Sequence, residues 1–583
     1  MLNGRYFGTS QLVFGDRLAV GSQTYRFDGQ GLLLIGSYAG AAVNVQHLSK
    51  QVGSKLILND ISLNIAPGEF VGILGTSGAG KSTFLDAISG IRPATSGLVT
   101  IDGIAVEEFM QQSSSIAGYV PQSDIIHFEL TVRQAVWFSA QLRLPSGTSQ
   151  HVLQDCVEAA LKRLDLLHLA DVKVANISGG QQKRVSIAAE VLARPFILFL
   201  DEPSSGLDPA TEAKLMEQLR DLANLGCTVI CTTHIMENVH SFDSLIILRD
   251  GRLIFQGAPA EARKHFEISR FAMLYDRIES RPVEYWLAHY TSERANHITA
   301  NLTLAEPPSI RPNKPNAFSL LMARQAALIF SDWKAPMILL AQPVVIGVLV
   351  SCMADGCGII LFIAHLAAFW FGCSNASQEI VKETDIYRRE RLIGLGRLQY
   401  LMAKAVFSVL VSLLQAAMLF AALHVGSITI EGDTLLQVVS LAGTTVASVS
   451  IGLALSAWVR TMTQATRAVP LILIPQIVLS GYVLPPVTED GVKRAVSEIS
   501  PSHASQALMD ASFLWKQVFD DSNSRAQANV FPAHRNMAAL IGIQKGEIFD
   551  DRNVVNDQIK KLVAWTCLGA LTAYYGLKRK ETE

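Results

Sequence analysis

The sequence contains few cysteines and few charged residues for its length. Its seven cysteines, among 583 residues, lie without C-x-x-C spacing, so they indicate neither a zinc site nor a disulfide framework. Charged residues make up only 17% of the chain and the formal net charge is −2, which excludes the basic footprint of a nucleic-acid-binding protein. The first residues also lack a basic segment followed by an apolar stretch and a small-residue cleavage site. We therefore expect reduced thiols, no nucleic-acid partner, and membrane insertion that begins at an internal helix.

Hydrophobic residues are abundant instead, at 49% of the chain with a mean hydropathy of +0.28. Their excess is concentrated in the second half, which predicts a membrane-embedded domain rather than a large soluble core. A chain of this length also exceeds what one hydrophobic core usually serves. The composition therefore predicts two or more domains, one of them in the membrane.

A glycine-rich segment follows the apolar run Phe70–Leu74 and precedes a stretch with helical character, Ser82–Ile91. It fits the pattern G-x-x-x-x-G-K-[ST], the P-loop. In this pattern backbone N–H groups surround phosphate oxygens, Lys81 reaches the β- and γ-phosphates, and the Ser82 hydroxyl binds Mg²⁺. The expected phosphate-binding residues are Gly75, Thr76, Ser77, Gly78, Ala79, Gly80, Lys81, Ser82 and Thr83.

Short apolar strands alternate with helical segments from Val43 onward, which predicts an α/β nucleotide-binding domain. After Gln122 a helical insertion over Thr131–Leu144 and Val152–Leu169 interrupts this alternation. The insertion ends at Ser178-Gly179-Gly180-Gln181, and a helix and a buried strand that finishes in Asp201-Glu202 come next.

The order of these motifs resembles that of the ABC ATPases. Ser205-Gly206-Leu207-Asp208 also resembles the D-loop of this family, and Thr232-Thr233-His234 resembles its switch-histidine segment. The resemblance covers residues 43–280 and implies ATP and Mg²⁺ as cofactors. It further implies that the signature residues contact ATP held by a partner subunit, so that hydrolysis needs a dimer. The nucleotide-contacting residues expected beyond the P-loop are Ser178, Gly179, Gly180, Gln181 and Asp208.

The polar residues in these motifs have the chemistry that hydrolysis requires. Asp201 can hold Mg²⁺ directly or through water, and the adjacent Glu202 can polarise the attacking water. Gln122 offers a neutral amide to Mg²⁺ or water, and His234 is expected to contact the γ-phosphate. We therefore expect Glu202, His234 and Gln122 in catalysis, and Ser82, Gln122 and Asp201 at the metal. One position departs from the family: where an aromatic residue often stacks on adenine, this chain has Gln51-Val52.

Residues 1–38 contain short alternating runs separated by Gly-Asp and Gly-Ser turns, which predict β-hairpins. The segment Gly15–Gly21 resembles the last strands of a forkhead-associated domain. The loops that read a phosphopeptide in that family are missing, so we interpret residues 1–38 as a short β remnant.

After the ATPase segment, prolines between residues 281 and 316 predict a linker. Ala317–Trp333 has the pattern of an amphipathic helix at the cytoplasmic membrane surface. An all-α transmembrane domain is predicted over residues 317–583. Its six expected spans are 336–353, 359–375, 398–423, 435–459, 468–484 and 562–577.

The distribution of basic residues predicts the orientation of these spans. Lys and Arg are frequent between spans two and three, between spans four and five, and at the end of the chain, whereas loops 354–358 and 424–434 have none. The positive-inside rule therefore places both termini and the ATPase in the cytoplasm and residues 485–561 outside.

An ATPase followed by six spans resembles the half-transporters of the ABC G subfamily. The segments 117–122 and Arg389–Gly394 are similar to the corresponding segments of that subfamily. Thr232–Met236 instead differs from the subfamily motif Ser-x-His-Gln-Pro. The long external segment also lacks cysteine, and both differences favour a bacterial relative.

Polar residues in the membrane half leave alternatives open. The run Glu379–Arg391 is either a solvated face or, as its position between spans favours, a coupling helix. Polar residues within spans contact either neighbouring helices or substrate, and we expect helix packing for each. Prolines in span five more readily mark a kink than a gate. The in-span residues are His365, Gln342, Gln415 and Gln476, and the prolines are Pro470 and Pro475.

These observations favour an ATP-driven exporter of a lipidic or amphipathic substrate in a bacterial cytoplasmic membrane. Its expected partners are a second copy or a related half-transporter, membrane lipids and the substrate. Two alternatives remain: an ABC protein that transmits motion to external partners without transport, and a signalling protein that uses the N-terminal remnant.

Overall fold

The computed structural model describes the chain over separate stretches. They are residues 17–20, 23–27, 32–37, 40–113, 117–144, 147–193, 195–294, 317–353, 357–424, 433–478, 500–502, 504–505, 508 and 551–582. By its internal contacts the chain divides into two compact units. The first comprises Met1–Ala317 with Arg389–Leu395, and the second comprises Phe318–Arg388 with Gly396–Glu583.

The first unit contains the strands and nine helices of the described chain. Its strands are β1 (Arg17–Val20), β2 (Gln23–Phe27), β3 (Leu32–Ser37), β4 (Val43–Val52), β5 (Lys55–Ile65), β6 (Phe70–Gly75), β7 (Ser96–Ile101), β8 (Ile104–Ala105), β9 (Ala117–Val120), β10 (Ile197–Leu200), β11 (Thr228–Thr232), β12 (Ser244–Arg249) and β13 (Arg252–Gly257). Its helices are α1 (Lys81–Ile88), α2 (Val106–Ser113), α3 (Val132–Arg143), α4 (Gln150–Arg163), α5 (Gly179–Val191), α6 (Pro209–Asn224), α7 (Pro259–His265), α8 (Leu274–Glu279) and α9 (Val283–Arg294).

The strands form three sheets. The largest has the order β13-β12-β6-β11-β10-β9, in which β12, β6, β11, β10 and β9 run parallel and β13 is antiparallel to β12. A second sheet has the order β5-β4-β7-β8 with antiparallel pairs. The predicted N-terminal hairpins are present as the antiparallel sheet β1-β2-β3. Their likeness to a forkhead-associated domain stays a prediction, because residues 1–16 and 21 lie outside the described residues.

Three of the five parallel strands are buried along their whole length. Every residue of β6, β10 and β11 is buried. Strands covered on both faces are expected to be continuous apolar runs, as the sequence has here. This core determines which strand ends meet at one edge of the sheet.

The helical insertion forms as predicted, with different ends. Thr131 caps α3 and forms a reciprocal capping box with Gln134. The second predicted helix stops at Arg163, because Asp165 has a φ of 53°, outside the helical region. A short 3₁₀ turn, Leu167–Leu169, follows it.

The predicted linker begins with packed structure. Pro282 precedes α9, and a proline just before a helix does not interrupt it. Trp286 on α9 is 1% exposed, and its ring lies 4.9 Å from that of Phe266. The first unit therefore extends beyond the boundary at residue 280 expected from the prolines, and residues 295–316 lie outside the described residues.

The second unit is helical in its described residues. Its helices are α10 (Ala317–Phe330), α11 (Lys334–Met353), α12 (Cys357–Ala376), α13 (Thr384–Leu392), α14 (Arg397–Leu423), α15 (Thr434–Trp458), α16 (Met462–Val478) and α17 (Asp551–Thr582). Among the described residues four helical stretches are long and apolar enough to cross a membrane, at 334–352, 360–392, 397–423 and 434–458.

The first, third and fourth predicted spans match three of these stretches to within two residues, whereas the second, 359–375, covers only the first part of the stretch 360–392. The predicted fifth span begins within α16, and its continuation to residue 484 lies outside the described residues, as does most of the external segment 485–561. The predicted sixth span falls within α17. Six membrane crossings thus remain a prediction, although each expected span contains helix.

Glycines bring neighbouring helices of this unit close together. A Cβ atom at Gly452 of α15 would lie 2.6 Å from the Cys373 carbonyl oxygen of α12. One at Gly569 of α17 would lie 2.7 Å from the Ser450 Oγ of α15. Small residues at such crossings allow backbones to approach, as is typical of helix packing in membranes.

Candidate nucleotide site

Four parallel strands end at the same edge of the large sheet. The P-loop follows β6, Gln122 follows β9, Asp201 follows β10 and Thr232 ends β11. These strands are neighbours in the order β6-β11-β10-β9. Ligands of open α/β sheets bind outside the carboxyl ends of the strands, which is where these residues converge.

The P-loop connects β6 to α1 through residues 76–80. Gly78 and Gly80 have φ values of 77° and 95°, a region that glycine adopts without steric penalty. A Cβ atom at Gly80 would also lie 2.8 Å from Leu58 Cδ2. The nine predicted phosphate-binding residues therefore form one continuous loop and helix N-terminus, Gly75–Thr83, where the helix dipole favours an anion.

Lys81 folds back on the loop that precedes it. Its Nζ donates to the carbonyl oxygens of Gly75 at 2.8 Å and Thr76 at 3.2 Å. Burial lowers the pKa of the Lys81 ammonium, while the Glu202 and Asp201 carboxylates act in the opposite direction. The cation is thus held at the P-loop by carbonyl oxygens that a phosphate can replace.

Asp201 is a buried carboxylate with two hydroxyl donors. Ser82 Oγ donates to its Oδ1 at 2.9 Å, and Thr232 Oγ1 donates to the same oxygen at 2.7 Å. Mg²⁺ prefers oxygen ligands and is usually bound through one or two carboxylates together with substrate phosphates. The paired hydroxyl and carboxylate of Ser82 and Asp201 fit that donor set. Among the described residues no cluster of three His, Cys, Asp or Glu side chains could hold a metal without such phosphates.

Glu202 lies against the other two predicted catalytic residues. Gln122 Nε2 donates to Glu202 Oε2 at 3.0 Å, and His234 Nδ1 lies 3.7 Å from the same oxygen. Glu202 has a φ of 45°, in the left-handed region that non-glycine residues seldom adopt. Such a conformation costs about 1–3 kcal/mol and persists where the surroundings impose it.

The signature and D-loop residues lie at the start of two helices. Ser178 caps α5, accepting the N–H of Gln181 while the Gln181 side chain accepts the N–H of Ser178. Asp208 caps α6 by accepting the N–H groups of Ala210 and Thr211. These bonds place the signature residues and Asp208 each at a helix N-terminus.

Lys183 is a further buried residue that sequence reasoning passed over. Its Nζ donates to the Gln122 carbonyl at 2.7 Å and lies 3.1 Å from Asp124 Oδ1. Ser186 Oγ donates to the same Asp124 oxygen at 3.0 Å. The signature helix α5 is thereby tied to the segment that carries Gln122. The sequence gives no signal for this burial, and in the structure Lys183 is only 4% exposed.

Two family models match the chain. Residues 58–205 match the model described as ABC transporter, and residues 316–514 match the model described as ABC-2 type transporter. These two matches fall on the two halves of the chain in the order that the motifs predicted.

Curated proteins with similar sequences are transporters by name. The chain is 30% identical over 466 residues to the ABC transporter ATP-binding/permease protein Rv1747 of Mycobacterium tuberculosis, covering 74% of this chain and 53% of that protein. It is 33% identical over 287 residues to ABC transporter G family member 25 of Arabidopsis thaliana, covering 48% and 42%. It is 35% identical over 226 residues to the Nod factor export ATP-binding protein I of Rhizobium leguminosarum bv. viciae, covering 38% and 71%. The chain thus spans about half the length of the first two relatives.

Among solved structures, the chain is similar to a dimeric ATP-binding cassette with ADP and Pi bound in a post-hydrolysis state. The identity is 31% and the TM-score 0.35, with 37% of this chain and 98% of that chain covered.

Proposed function

We propose that this chain, which belongs to the ABC transporter family and carries an ATPase domain before an ABC-2 type membrane domain, exports a lipidic or amphipathic substrate as a dimer of half-transporters. The observation that carries the proposal is the convergence of the P-loop, Gln122, Asp201, Glu202 and His234 at one edge of a parallel sheet. The membrane in question is a bacterial cytoplasmic membrane, with the ATPase on the cytoplasmic side.

Each residue of the site has a part in ATP hydrolysis. Lys81 exchanges the carbonyl oxygens of Gly75 and Thr76 for phosphate oxygens when ATP binds. Ser82 and Asp201 would hold Mg²⁺, which would supply positive charge to offset that of the ATP phosphates. Glu202 orients the attacking water and accepts its proton, because it is the carboxylate of the pair that is free of hydroxyl donors from the P-loop.

Gln122 controls access to this base. Its side-chain Nε2 donates to Glu202 Oε2 at 3.0 Å and so takes the position at which the attacking water would otherwise bind. Because the amide is neutral, it can move away from the carboxylate without becoming a buried, unpaired charge itself. His234, 3.7 Å from the same oxygen, is within reach of the γ-phosphate side once Gln122 moves.

The charged run between the second and third apolar helices supports a coupling role. Its last part, Arg389–Leu395, belongs to the first compact unit. Within that unit Arg389 Nη1 donates to the Ile125 carbonyl at 2.6 Å, and its Nε lies 3.9 Å from Glu190 Oε1 on α5. Ile125 lies three residues after Gln122, so a movement of the Gln122 segment reaches Arg389 directly.

The dimer is supported by the position of the signature residues at a helix N-terminus. Ser178, Gly179 and Gly180 open α5 with N–H groups and a helix dipole suited to phosphate. As the resemblance to the ABC ATPases implies, the ATP that these groups contact would be held by a second copy or a related half-transporter.

Polar residues within the membrane helices support packing rather than substrate contact. His365, 5% exposed, lies with its Nε2 3.0 Å from Ser440 Oγ on α15. Gln415, 1% exposed, donates from Nε2 to the Leu339 carbonyl on α11 at 2.8 Å. Each bond joins two helices, which is the use expected of polar groups in a membrane interior.

The second candidate is an ABC protein that transmits ATP-driven motion across the membrane without moving a substrate. Four apolar helices of spanning length among the described residues would suit that function. Helices α16 and α17 at the other two expected spans favour six crossings and export.

Reconstitution in liposomes separates these functions. Protein is inserted with the ATPase outside, and fluorescent phospholipids in the outer leaflet are quenched with dithionite before and after ATP is added. Export predicts ATP-dependent loss of quenchable lipid, absent from Glu202→Gln. ATP hydrolysis with no movement of phospholipid or amphipathic drug probes would instead favour the transmitter, and absence of hydrolysis would contradict both.

A further inference from the structure

Thr232, the last residue of β11, contacts both acids of the site through a single hydroxyl group. Its side chain is fully buried. The Oγ1 atom donates to Asp201 Oδ1 at 2.7 Å and accepts the backbone N–H of Glu202 at 2.7 Å. A hydroxyl has one proton to donate and lone pairs to accept with, so both bonds form at the same time.

Strand register brings these groups together. Leu200 of β10 and Cys231 of β11 are paired residues in the parallel sheet. The next residues, Asp201 and Thr232, therefore lie side by side where the strands end. The next residue, Glu202, has a left-handed backbone conformation with a φ of 45°.

We propose that Thr232 is a positioning residue for ATP hydrolysis, which fixes the metal-holding carboxylate of Asp201 and the backbone of Glu202 relative to each other. The inference rests on the proposed roles of these two acids. Two contacts on one hydroxyl make the spacing of the acids depend on a single side chain.

The Asp201 contact gains importance when nucleotide is bound. Ser82 Oγ now donates to the same oxygen, at 2.9 Å. Once the Ser82 hydroxyl turns to serve as a metal ligand, Thr232 is the hydroxyl that still donates to Asp201. The carboxylate then keeps its orientation, as hydrogen bonds from outer residues do for metal-binding carboxylates in general.

The Glu202 contact acts on the base. A glutamate with a left-handed backbone conformation keeps it only where the surrounding structure imposes it. The Thr232 hydroxyl accepts the backbone N–H of Glu202. This bond fixes the orientation of the peptide group next to the Cα atom that carries the Glu202 side chain. Loss of the hydroxyl removes this acceptor and leaves the base free to relax toward a more common conformation.

The strand supplies a matched control for a purely structural role. Thr228, at the other end of β11, is also fully buried. Its Oγ1 donates to the Ala41 carbonyl at 2.8 Å and accepts the N–H of Gly68 at 2.9 Å. It therefore has the same residue type, strand, burial and number of hydrogen bonds, but contacts neither acid.

The test compares Thr232→Val, Thr232→Ser and Thr228→Val in the full-length protein in lipid nanodiscs. The measurements are kcat, the Mg²⁺ dependence of binding a fluorescent ATP analogue, and the melting temperature. We expect Thr232→Val to lose about 10–100-fold in kcat and to need more Mg²⁺ for nucleotide binding, while metal-free nucleotide binding is unchanged. Thr232→Ser should restore both properties, and Thr228→Val should lower the melting temperature only.

Three results would overturn the inference. They are wild-type kcat and Mg²⁺ dependence in Thr232→Val, equal losses in Thr228→Val, and failure of Thr232→Ser to restore function. If Thr232→Val does not fold, Thr232→Cys, a much weaker donor, takes its place in the same comparison. Glu202→Gln is measured in parallel: full turnover there would overturn the assignment of the base, whereas an inactive Glu202→Gln beside a normal Thr232→Val would overturn the role of Thr232 alone.

Discussion

At the scale of single residues, Glu202 is held from several directions. Gln122 caps its carboxylate, His234 lies nearby, and Thr232 accepts its backbone N–H. The left-handed backbone stores strain of about 1–3 kcal/mol, which these contacts offset. We therefore expect release of the Gln122 amide to expose the proposed base, Glu202, to water.

Lys183 is the residue whose contacts join this local change to the signature helix. It donates to the Pro121 and Gln122 carbonyl oxygens at 3.3 and 2.7 Å, and pairs with Asp124. With 4% of its surface exposed, it is a buried cation whose partners belong to one segment. We therefore expect α5 and the Gln122 segment to move together.

We expect Lys183→Met to impair turnover while leaving ATP binding in place, because the P-loop is untouched. Breaking a buried ion pair by removing one partner costs about 3–5 kcal/mol, so the melting temperature should also fall. ATPase rate, equilibrium ATP binding and thermal melting are the measurements. Lys214→Met is the control, since Lys214 pairs with Asp165 at a half-exposed site where such pairs contribute about 0–1 kcal/mol. Equal behaviour of the two variants would contradict the coupling.

At the scale of elements, the first turns of α5 and α6 lie against each other. A Cβ atom at Gly180 would lie 2.8 Å from Thr211 Cγ2 and 3.0 Å from Leu207 Cδ2. Gly179 differs, because a Cβ atom there would have no neighbour within 4 Å. A side chain at 179 would thus be tolerated within one chain and would project from the helix N-terminus.

Gly179→Asp uses this difference to test the shared site. A carboxylate in the first helical turn is compatible with the helix dipole, so the protein should fold and bind ATP normally. Hydrolysis should be abolished, because the added negative charge lies where the partner's phosphate is expected. ATP binding, ATPase rate and oligomeric state at the working concentration are measured together. Full activity in Gly179→Asp, or in a wild-type protein that stays monomeric, would refute the shared site.

Elements with a strong local signal could be predicted from the sequence. The strand Ile197–Leu200 is a continuous apolar run because it is buried on both faces, and the P-loop has fixed spacing because its glycines need unusual φ values. The order of motifs then gave the residues that converge at the sheet edge.

Other features depend on contacts between distant residues and could not be predicted. Prolines suggested a linker from residue 281, but burial of Trp286 against Phe266 makes α9 part of the first unit. The double contact of Thr232 arises from the register of β10 with β11, which a single sequence does not specify. The burial of Lys183 is of the same kind.

At the scale of the whole molecule, basic residues are distributed unevenly along the membrane half. The segment between the second and third apolar helices carries Lys382, Arg388, Arg389, Arg391 and Arg397, whereas the loop at 424–434 has neither Lys nor Arg. The positive-inside rule assigns the first segment to the cytoplasm and the second to the outside.

Single cysteines in a cysteine-free background test this orientation. Asp385→Cys is suitable because Asp385 is exposed on α13, and Ile430→Cys falls in the loop without basic residues. In intact cells an impermeant maleimide should label position 430 and not position 385. Permeabilised cells, in which both should react, provide the control. Labelling of position 385 but not of position 430 from outside would contradict the predicted topology and indicate the opposite orientation.

We expect ATP hydrolysis at the Glu202 site to drive export by the whole molecule. Glu202→Gln keeps the size of the side chain and removes the carboxylate that accepts the proton from water. Lys81, Ser82 and Asp201 remain, so ATP with Mg²⁺ should still bind and hold two copies together. Lys81→Ala, the control, should weaken ATP binding itself because it removes the cation that reaches the phosphates.

The most direct measurement is steady-state ATP hydrolysis by Glu202→Gln in lipid, with bound nucleotide and oligomeric state recorded on the same sample. We expect turnover to fall by roughly 10²–10⁴-fold, while ATP affinity is retained and an ATP-bound dimer accumulates. Near-normal hydrolysis by Glu202→Gln would contradict this expectation and would mean that the base lies elsewhere.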